Sequence, residues 1–342
     1  MKTVVAVDPG FSGTRLFFYS FDERYPALDT GKTRVEILRP GEDPFSRLDR
    51  VNVTPPDVVV LPGGSYRPSP PGVYRLSDTL ASDASCIAPW HPRNQMTIMA
   101  YRYCLHKKIP GIVVEPMNSA ELLDEAVLSG YPAYKRRGCF YAVPQRAAWE
   151  HWVSRHRETG RDLSGITVYL GEEACVSAHK GTRVVDTSDP IMGEGPYGWR
   201  SAGTLPATAF ISYMHEGGLG ERPLRKLKED SGVYGYARNS AGTVESLVEA
   251  LTKGDEKAVS GVVGMAYQVS KEIGRQTAAL SGKIDVVVVC GPLVVLRDLV
   301  DGISRRVSKW APVEVVREDL VPPVLIKEGI DVLMGKSVRD IS

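Results

Sequence analysis

The sequence predicts an α/β protein built from two domains, each with its own sheet. Its 342 residues exceed what one hydrophobic core usually supports. Fully apolar stretches of strand length, such as residues 286–289, alternate with amphipathic helical patterns, as in sheets that are covered on both faces. A strand–turn–strand unit also occurs twice, at residues 4–20 and 166–186. One such unit in each half indicates two domains of the same kind.

In the first half, the pattern predicts strands separated by proline-rich turns, followed by helices. The strands are predicted at residues 4–8, 16–20, 58–61 and 111–114. After His91 the apolar residues recur at helical spacing, which predicts a helix that buries Met96, Ala100 and Tyr103. Residues 119–129 are also predicted as a helix, because Ser119 can cap it and its first turn is acidic. A further helix is predicted from about residue 145 to 156.

The polar stretch 158–165, which contains two glycines, is the predicted boundary between the halves. The first domain would cover residues 1–157, with a terminal segment 324–342 packed on it, and the second would cover residues 158–323. In the second, a three-strand meander is predicted at residues 166–170, 175–179 and 184–186. Further strands are predicted at 284–289 and 313–316, and helices at 206–215, 243–252, 255–280, 293–309 and 325–334. The helix at 255–280 has a continuous apolar stripe that includes Val259 and Val263.

Composition excludes several classes of function. The net charge of +1 gives no electrostatic reason to expect nucleic acid or an anionic membrane as a partner. No apolar run approaches the length of a membrane-spanning helix, and the chain shows no signal-peptide pattern, so a cytoplasmic location is expected. Five scattered cysteines without a CxxC pair argue against structural zinc.

The two repeated turns differ in charge. Turns rich in glycine can wrap a phosphate with backbone N–H groups, and the first turn fits this use. The second carries Glu172 and Glu173 where a phosphate would lie. Two interpretations stay open: a bridging metal ion offsets the charge, or the second turn does not bind a triphosphate.

Read in order, the motifs resemble one enzyme family. They include VDPGFSGTR, PGGSYRPSPPGVYRLS, HPRN, YLGEEACVSAHKGTRVVD, GEGPYGWRSAGTLP and CGPLV. Together they resemble the butyrate kinases, in the acetate kinase branch of the actin-like ATPase superfamily, from residue 4 to about residue 335. The resemblance implies two ribonuclease-H-like domains with a cleft between them, and a homodimer formed through the second domain. It also implies reversible phosphoryl transfer between ATP and a short-chain carboxylate, with Mg²⁺.

The resemblance assigns roles to residues at matching positions. Asp8 would direct Mg²⁺, Arg200 would stabilise the transferring phosphoryl group, and His91 would act beside the substrate. Nucleotide binding would involve Gly10, Ser12, Thr14, Gly171, Glu172, Gly193, Gly195 and Gly291. The acceptor carboxylate would lie near Gly63, Gly64, Arg67 and Asn94.

The departures from the family pattern concern the same sites. Pro62 stands where the family has an arginine for the carboxylate, and Tyr141 and Tyr169 stand where it has histidines. The family's Asp-Ala-Arg segment near the nucleotide aligns here with residues 240–242. The family's later Gly-Gly pair aligns with Gly291-Pro292. Three interpretations follow: a divergent carboxylate kinase, a kinase with another acceptor, or a ligand-binding or assembly module that has kept the fold and lost the reaction.

Single residues keep alternatives of their own. Arg200 either meets the phosphoryl group or forms a structural ion pair with Glu194. His91 either contacts substrate or begins a helix and packs on Trp90. Arg67 and Arg75 are candidates to supply the positive charge that Pro62 lacks.

Overall fold

A computed structural model describes residues 1–51, 55–156, 162–217, 226–228, 230–238 and 241–341. The chain divides into two compact units. Unit 1 contains residues 1–120 and 320–342, and unit 2 contains residues 121–319. The predicted boundary at 157/158 lies outside the described residues. The helix at residues 142–154 nevertheless groups with unit 2, because it packs on that unit's sheet.

The described strands and helices are named here in chain order. The strands are β1 (Lys2–Gly10), β2 (Gly13–Phe21), β3 (Arg34–Leu38), β4 (Val58–Pro62), β5 (Val73–Arg75), β6 (Gly111–Val114), β7 (Ser164–Leu170), β8 (Ala174–Lys180), β9 (Arg183–Thr187), β10 (Val286–Cys290) and β11 (Val313–Val315). The helices are α1 (Pro44–Val51), α2 (Asp78–Ile87), α3 (Pro92–Lys107), α4 (Ala142–Ser154), α5 (Ala207–Gly217), α6 (Gly232–Ala237), α7 (Val244–Thr252), α8 (Glu256–Ala279), α9 (Arg297–Val307) and α10 (Val321–Leu333).

Unit 1 is a six-stranded mixed sheet in the order β3-β2-β1-β4-β6-β5. The first three strands form an antiparallel meander, whereas β1, β4 and β6 run parallel. Alternate residues of β1 face opposite helices: Val5 belongs to the core cluster with α3, and Val4 lies against Gly329 of α10. With apolar side chains on both faces, residues 4–7 of β1 and all of β4 are buried, as their uninterrupted hydrophobic sequence predicts.

Unit 2 is a five-stranded sheet in the order β11-β10-β7-β8-β9. The antiparallel meander β7–β9 confirms the predicted three strands, and β10 pairs parallel with both β7 and β11. On one face, Val168 packs with Val269 of α8. On the other face, Thr167 donates to Gln145 of α4 with an O···O distance of 2.7 Å.

Three predictions of secondary structure need correction. Residues 119–129 are not an α-helix, because Ala120 N–H bonds to Ser69 and Leu123 N–H bonds to Val185; only a 3₁₀ turn forms, at Asp124–Val127. The predicted helix 293–309 is divided into a 3₁₀ turn, Pro292–Val295, and α9. In α8, Val259 and Val263 are exposed, so the buried stripe is narrower than predicted.

Within the described parts of the chain, no helix combines the length and the apolar character needed to cross a bilayer.

Candidate functional site

In unit 1, the β1–β2 turn holds the first set of predicted residues. Asp8 and Arg15 are opposite each other in the register of the two strands, and Arg15 Nη2 lies 2.5 Å from Asp8 Oδ2. Gly10 faces Gly13 across the turn, which Ser12 helps to form, while Thr14 is buried in β2. Gly13 adopts φ +135°, and a Cβ there would lie 2.2 Å from the carbonyl oxygen of Leu38. This turn therefore requires glycine at its end.

The geometry of Asp8 bears on the predicted Mg²⁺ site. Its carboxylate, whose side chain is 11% exposed, is already bound by the guanidinium of Arg15. Among the residues that the structure describes, no group of three or more His, Cys, Asp or Glu side chains is arranged to hold a metal ion. The residues present do not fit a magnesium site built by the protein itself, since such a site needs carboxylates that are not held by a cation.

The residues predicted to meet the acceptor form a tightly bonded cluster. Asn94 Oδ1 accepts from Ser65 N at 2.7 Å, and its Nδ2 donates to the carbonyls of Ser65 and Ala84. A Cβ at Gly63 would lie 2.1 Å from the carbonyl of Glu115, and one at Gly64 would lie 2.4 Å from Asn94 Oδ1. These contacts give Asn94 and both glycines a structural role in closing the end of β4.

His91 is the N-cap of α3 and is 2% exposed. Its Nδ1 accepts from Arg93 N at 3.3 Å. The ring packs edge-on against Trp90 and Phe11, with ring centroids 5.7 and 5.4 Å away. This geometry favours the interpretation of His91 as a helix-start residue.

The two arginines proposed to replace the charge missing at Pro62 have acidic partners. Arg67 binds Asp83 through two nitrogens, at 2.8 and 3.0 Å, and holds the pKa of that carboxyl below its usual range. Arg75 lies 3.4 Å from Asp340 near the C-terminus. Both guanidiniums are thus neutralised within unit 1.

In unit 2, three segments form a layered backbone support, which we call the Arg200 platform: residues 171–172, 198–201 and 231–234. The carbonyls of Gly171 and Glu172 accept from the N–H groups of residues 199–201, at 2.9–3.3 Å. The carbonyls of residues 198–200 accept in turn from Ser231, Val233 and Tyr234, at 2.8–3.1 Å. A Cβ on Gly198 would lie 2.5 Å from the carbonyl oxygen of Glu172. The backbone of Arg200 is therefore held from both sides.

The guanidinium of Arg200 contacts one side chain from each of the other two segments of the platform. Its Nε lies 3.6 Å from Glu172 Oε2, and its Cζ lies 3.9 Å from the centre of the Tyr234 ring. Glu194, the alternative partner, is instead bound by Arg136 at 3.0 Å and by Arg275 at 2.5 Å. The carboxylate paired with Arg200 is thus the one that stands in place of glycine in the turn.

Glu173 points into the core of unit 2 and is fully buried. Its carboxylate accepts from the hydroxyl of Tyr141 at 3.1 Å and from Lys228 Nζ at 3.2 Å. Lys228 also donates to the carbonyl of Pro190. A buried carboxylate needs such partners, because an unpaired charge in a low-dielectric interior is strongly destabilising.

Asp189 lies beside this buried pair and is 3% exposed. Burial raises its pKa to about 7, although a hydrogen bond from Met192 N, at 3.0 Å, favours the charged form. The following loop contains Gly193 and Gly195, whose φ angles of +81° and +104° favour glycine. The backbone of Gly195 is bonded to both the hydroxyl and the N–H of Thr204.

Tyr141 and Tyr169, which replace the family's histidines, stack on each other with ring centroids 4.4 Å apart. A Cβ at Gly171 would lie 2.6 Å from the Tyr169 ring, and one at Gly291, where φ is +103°, would lie 3.0 Å from it. The predicted Gly171 and Gly291 loops therefore lie on either side of one aromatic ring. Of the predicted segment 240–242, residue 240 lies outside the described residues.

Sequence reasoning missed Lys228, which binds Glu173, and Tyr234, whose ring lies against the Arg200 guanidinium. Lys228 is 55 positions from Glu173, and no local pattern connects them. The weak signal available was the pair of glutamates itself, because a buried carboxylate demands a cation somewhere in the fold.

Comparison with known proteins bears on the second unit's sequence and on the fold. A family model described as the acetokinase family matches residues 140–293, which include the Arg200 platform. The structure is similar to that of acetate kinase from Porphyromonas gingivalis, with 15% identity, a TM-score of 0.71 and coverage of 97% of this chain and 99% of that one. The fold is that of the acetate and propionate kinases. A propionate kinase from Francisella tularensis is 13% identical with a TM-score of 0.76, covering 96% of this chain and 99% of that one. Acetate kinase from Entamoeba histolytica is 12% identical with a TM-score of 0.68, covering 90% and 87%. The predicted fold class is thereby confirmed.

Proposed function

We propose that this protein is a divergent phosphotransferase that transfers a phosphoryl group from ATP to a short-chain carboxylate. The observation that carries the proposal is the Arg200 platform, which fixes an arginine by its backbone next to the Gly171 turn. A planar guanidinium suits the charge that spreads over the oxygens of a transferring phosphoryl group. The match of the acetokinase family model to residues 140–293 supports the same assignment.

Roles are proposed for the residues of each unit by itself. Unit 2 would hold the nucleotide near Gly171, Gly193, Gly195 and Gly291, with Arg200 on the transferring group. Unit 1 would offer the β1–β2 turn, Gly10 to Thr14, to a phosphate. A carboxylate oxygen of the acceptor would attack the terminal phosphorus of ATP, the bond to the bridging oxygen would break, and an acyl phosphate and ADP would leave. Positioning and charge neutralisation supply most of the catalysis in such reactions, and no covalent enzyme intermediate is needed.

The finer parts of the proposal rest on the sequence motifs. They are membership of the butyrate-kinase branch, a homodimeric state, a cytoplasmic location and the use of Mg²⁺ with the nucleotide. Asp8 remains the residue proposed to direct the ion, although its pairing with Arg15 opposes a site built by the protein alone.

A second candidate function is a ligand-binding or assembly module that has lost the reaction. Specific observations favour it: Glu172 is paired with Arg200, and Asn94 and His91 are used in structural bonds. The two functions differ in whether any acyl phosphate is formed.

The deciding experiment incubates the protein with Mg-ATP and acetate, propionate or butyrate, and traps acyl phosphate as the hydroxamate. We expect product with at least one acceptor, and an Arg200→Gln variant that loses at least about 100-fold in rate, since one transition-state contact of this kind is worth ~3 kcal/mol or more. Glu249→Gln, which removes an exposed carboxylate of unit 2, is the matched control and should retain the rate. No product with any acceptor, together with a thermal shift by Mg-ATP, would favour the binding module.

A further inference from the structure

Glu172 distinguishes this Arg200 platform from a simple anion-binding arrangement. Its carboxylate lies 3.6 Å from Arg200 Nε, so the positive charge of the guanidinium is offset before any ligand arrives. The side chains of Glu172 and Arg200 are 20% and 23% exposed, whereas Glu172 Oε2, the oxygen nearest Arg200, is buried, so the contact between them is partly shielded from solvent. Charges in such a setting interact more strongly than exposed pairs do.

Glu173 does not share this role. It is fully buried and is bonded to Lys228 and Tyr141, so its charge is compensated inside unit 2. The two adjacent glutamates therefore have different cationic partners. Glu173 belongs to the core, and Glu172 belongs to the platform.

Tyr234 keeps the guanidinium of Arg200 in position if the ion pair with Glu172 opens. Its ring lies 3.9 Å from the guanidinium carbon, and its backbone N–H is bonded to Trp199 within the platform. A cation over an aromatic face keeps its position without being neutralised. Arg200 can thus exchange Glu172 for another anion while Tyr234 and the backbone keep it in place.

We propose that Glu172 is a selectivity residue that competes with anionic ligands for Arg200 and so weakens the binding of phosphates at this position. The inference rests on the proposed function, because it takes Arg200 as the phosphate-binding group. An anion that displaces Glu172 must both replace its contact with Arg200 and lie near its negative charge. The binding of ligands with high negative charge is weakened most. A phosphate whose charge is partly neutralised by a bound cation is therefore favoured over a phosphate without one.

The expected size follows from Coulomb's law. Two unit charges about 6 Å apart at an effective dielectric constant near 20 repel by ~2–3 kcal/mol, and partial exposure of this pair reduces the value. Neutralising Glu172 should therefore tighten anion binding roughly tenfold, about 1.4 kcal/mol. The effect should be larger for free tripolyphosphate than for Mg-ATP, and it should shrink as salt is added.

The test is a double-mutant cycle read by isothermal titration calorimetry. Mg-ATP and inorganic tripolyphosphate are titrated separately into the full-length protein and into Glu172→Gln, Arg200→Gln and the double variant. Glu249→Gln controls for the loss of one negative charge from unit 2. We expect Glu172→Gln to bind about tenfold more tightly and Arg200→Gln to bind more weakly. The Glu172 effect should become smaller when Arg200 is absent, because only direct repulsion between the carboxylate and the ligand then remains.

Every other outcome contradicts the inference about Glu172, the proposed function, or both. If Glu172→Gln binds no more tightly while Arg200→Gln weakens binding, the inference fails and the proposed function stands. An equal effect of Glu172→Gln with and without Arg200 also overturns the inference, because the carboxylate then acts on the ligand directly. If Arg200→Gln leaves binding unchanged, Arg200 does not hold the ligand's phosphates in the ground state and the inference fails, while the proposed function is still decided by the acyl phosphate assay. If the natural protein binds neither probe but Glu172→Gln does, the inference is supported and the kinase function of the natural chain is refuted. If neither the natural protein nor Glu172→Gln binds a probe, the inference and the proposed function are both refuted.

Discussion

Replacing Lys228 by methionine tests the claim that Glu173 is a core residue stabilised by a buried ion pair. The carboxylate of Glu173 is fully buried, with Lys228 Nζ 3.2 Å away and the Tyr141 hydroxyl 3.1 Å away. Methionine keeps most of the volume of lysine but removes the ammonium, and it also takes a donor from the carbonyl of Pro190. Breaking one side of a buried pair typically destabilises a protein by about 3–5 kcal/mol, because the remaining charge stays desolvated.

The assay is urea unfolding followed by tryptophan fluorescence, which reports mainly on unit 2 because Trp149, Trp152, Trp199 and Trp310 lie there. The matched control is Lys253→Met, which breaks an exposed pair with Glu249 and should cost about 0.5 kcal/mol or less. Adding Glu173→Gln to Lys228→Met should restore much of the lost stability, since no charge then remains buried. If Lys228→Met is no more destabilising than Lys253→Met, the burial argument is wrong.

Three further changes test other parts of the structure. Asp189, whose pKa is raised to about 7 by burial, binds its proton more tightly in the folded state than in the unfolded state, so it contributes stability below about pH 4 that is lost as pH rises to about 7. Denaturation curves of Asp189→Asn should lack that loss, with a gain over the natural protein of about 4 kcal/mol at pH 8, and parallel pH profiles would contradict this. Gly198→Ala should cost about 2 kcal/mol or more because its Cβ would meet the Glu172 carbonyl at 2.5 Å, whereas Gly242→Ala, with open space around it, should change stability by less than about 1 kcal/mol; equal melting temperatures would refute the close approach. Asn94→Ala should lose about 2–3 kcal/mol in thermal unfolding, since it leaves Ser65 N–H and two carbonyls without their buried partner, and a neutral result would return Asn94 to the list of accessible substrate-binding residues.

The central elements could be predicted from the sequence because their patterns are set by burial. Fully apolar runs predict that β4 and β10 are covered on both faces. The long helical periodicity of α8 predicts which of its faces is buried. Residues 119–129 were mispredicted because a capping serine and acidic first turn describe a local preference, and tertiary partners took the backbone donors of Ala120 and Leu123 instead.

The candidate site was less predictable for the same physical reason. The sequence marked Glu172 and Glu173 as unusual, but it did not show that one pairs with Arg200 and the other with Lys228. Those partners come from segments 28 and 55 positions away, so only the folded chain brings the charges together. Asn94 and His91 match the family pattern, yet their hydrogen bonds are structural, and a motif does not record where a side chain's donors and acceptors are used.

The Arg200 platform is made almost entirely of main-chain bonds, and its close approaches depend on Gly198 and Gly232. Its geometry is therefore largely independent of which side chain is attached at position 200. A lysine, histidine or glutamine placed there would project from the same backbone, next to the same tyrosine ring. The backbone support is thus independent of the side chain that it presents. New chemistry at position 200 requires a change of one residue without rebuilding the loop.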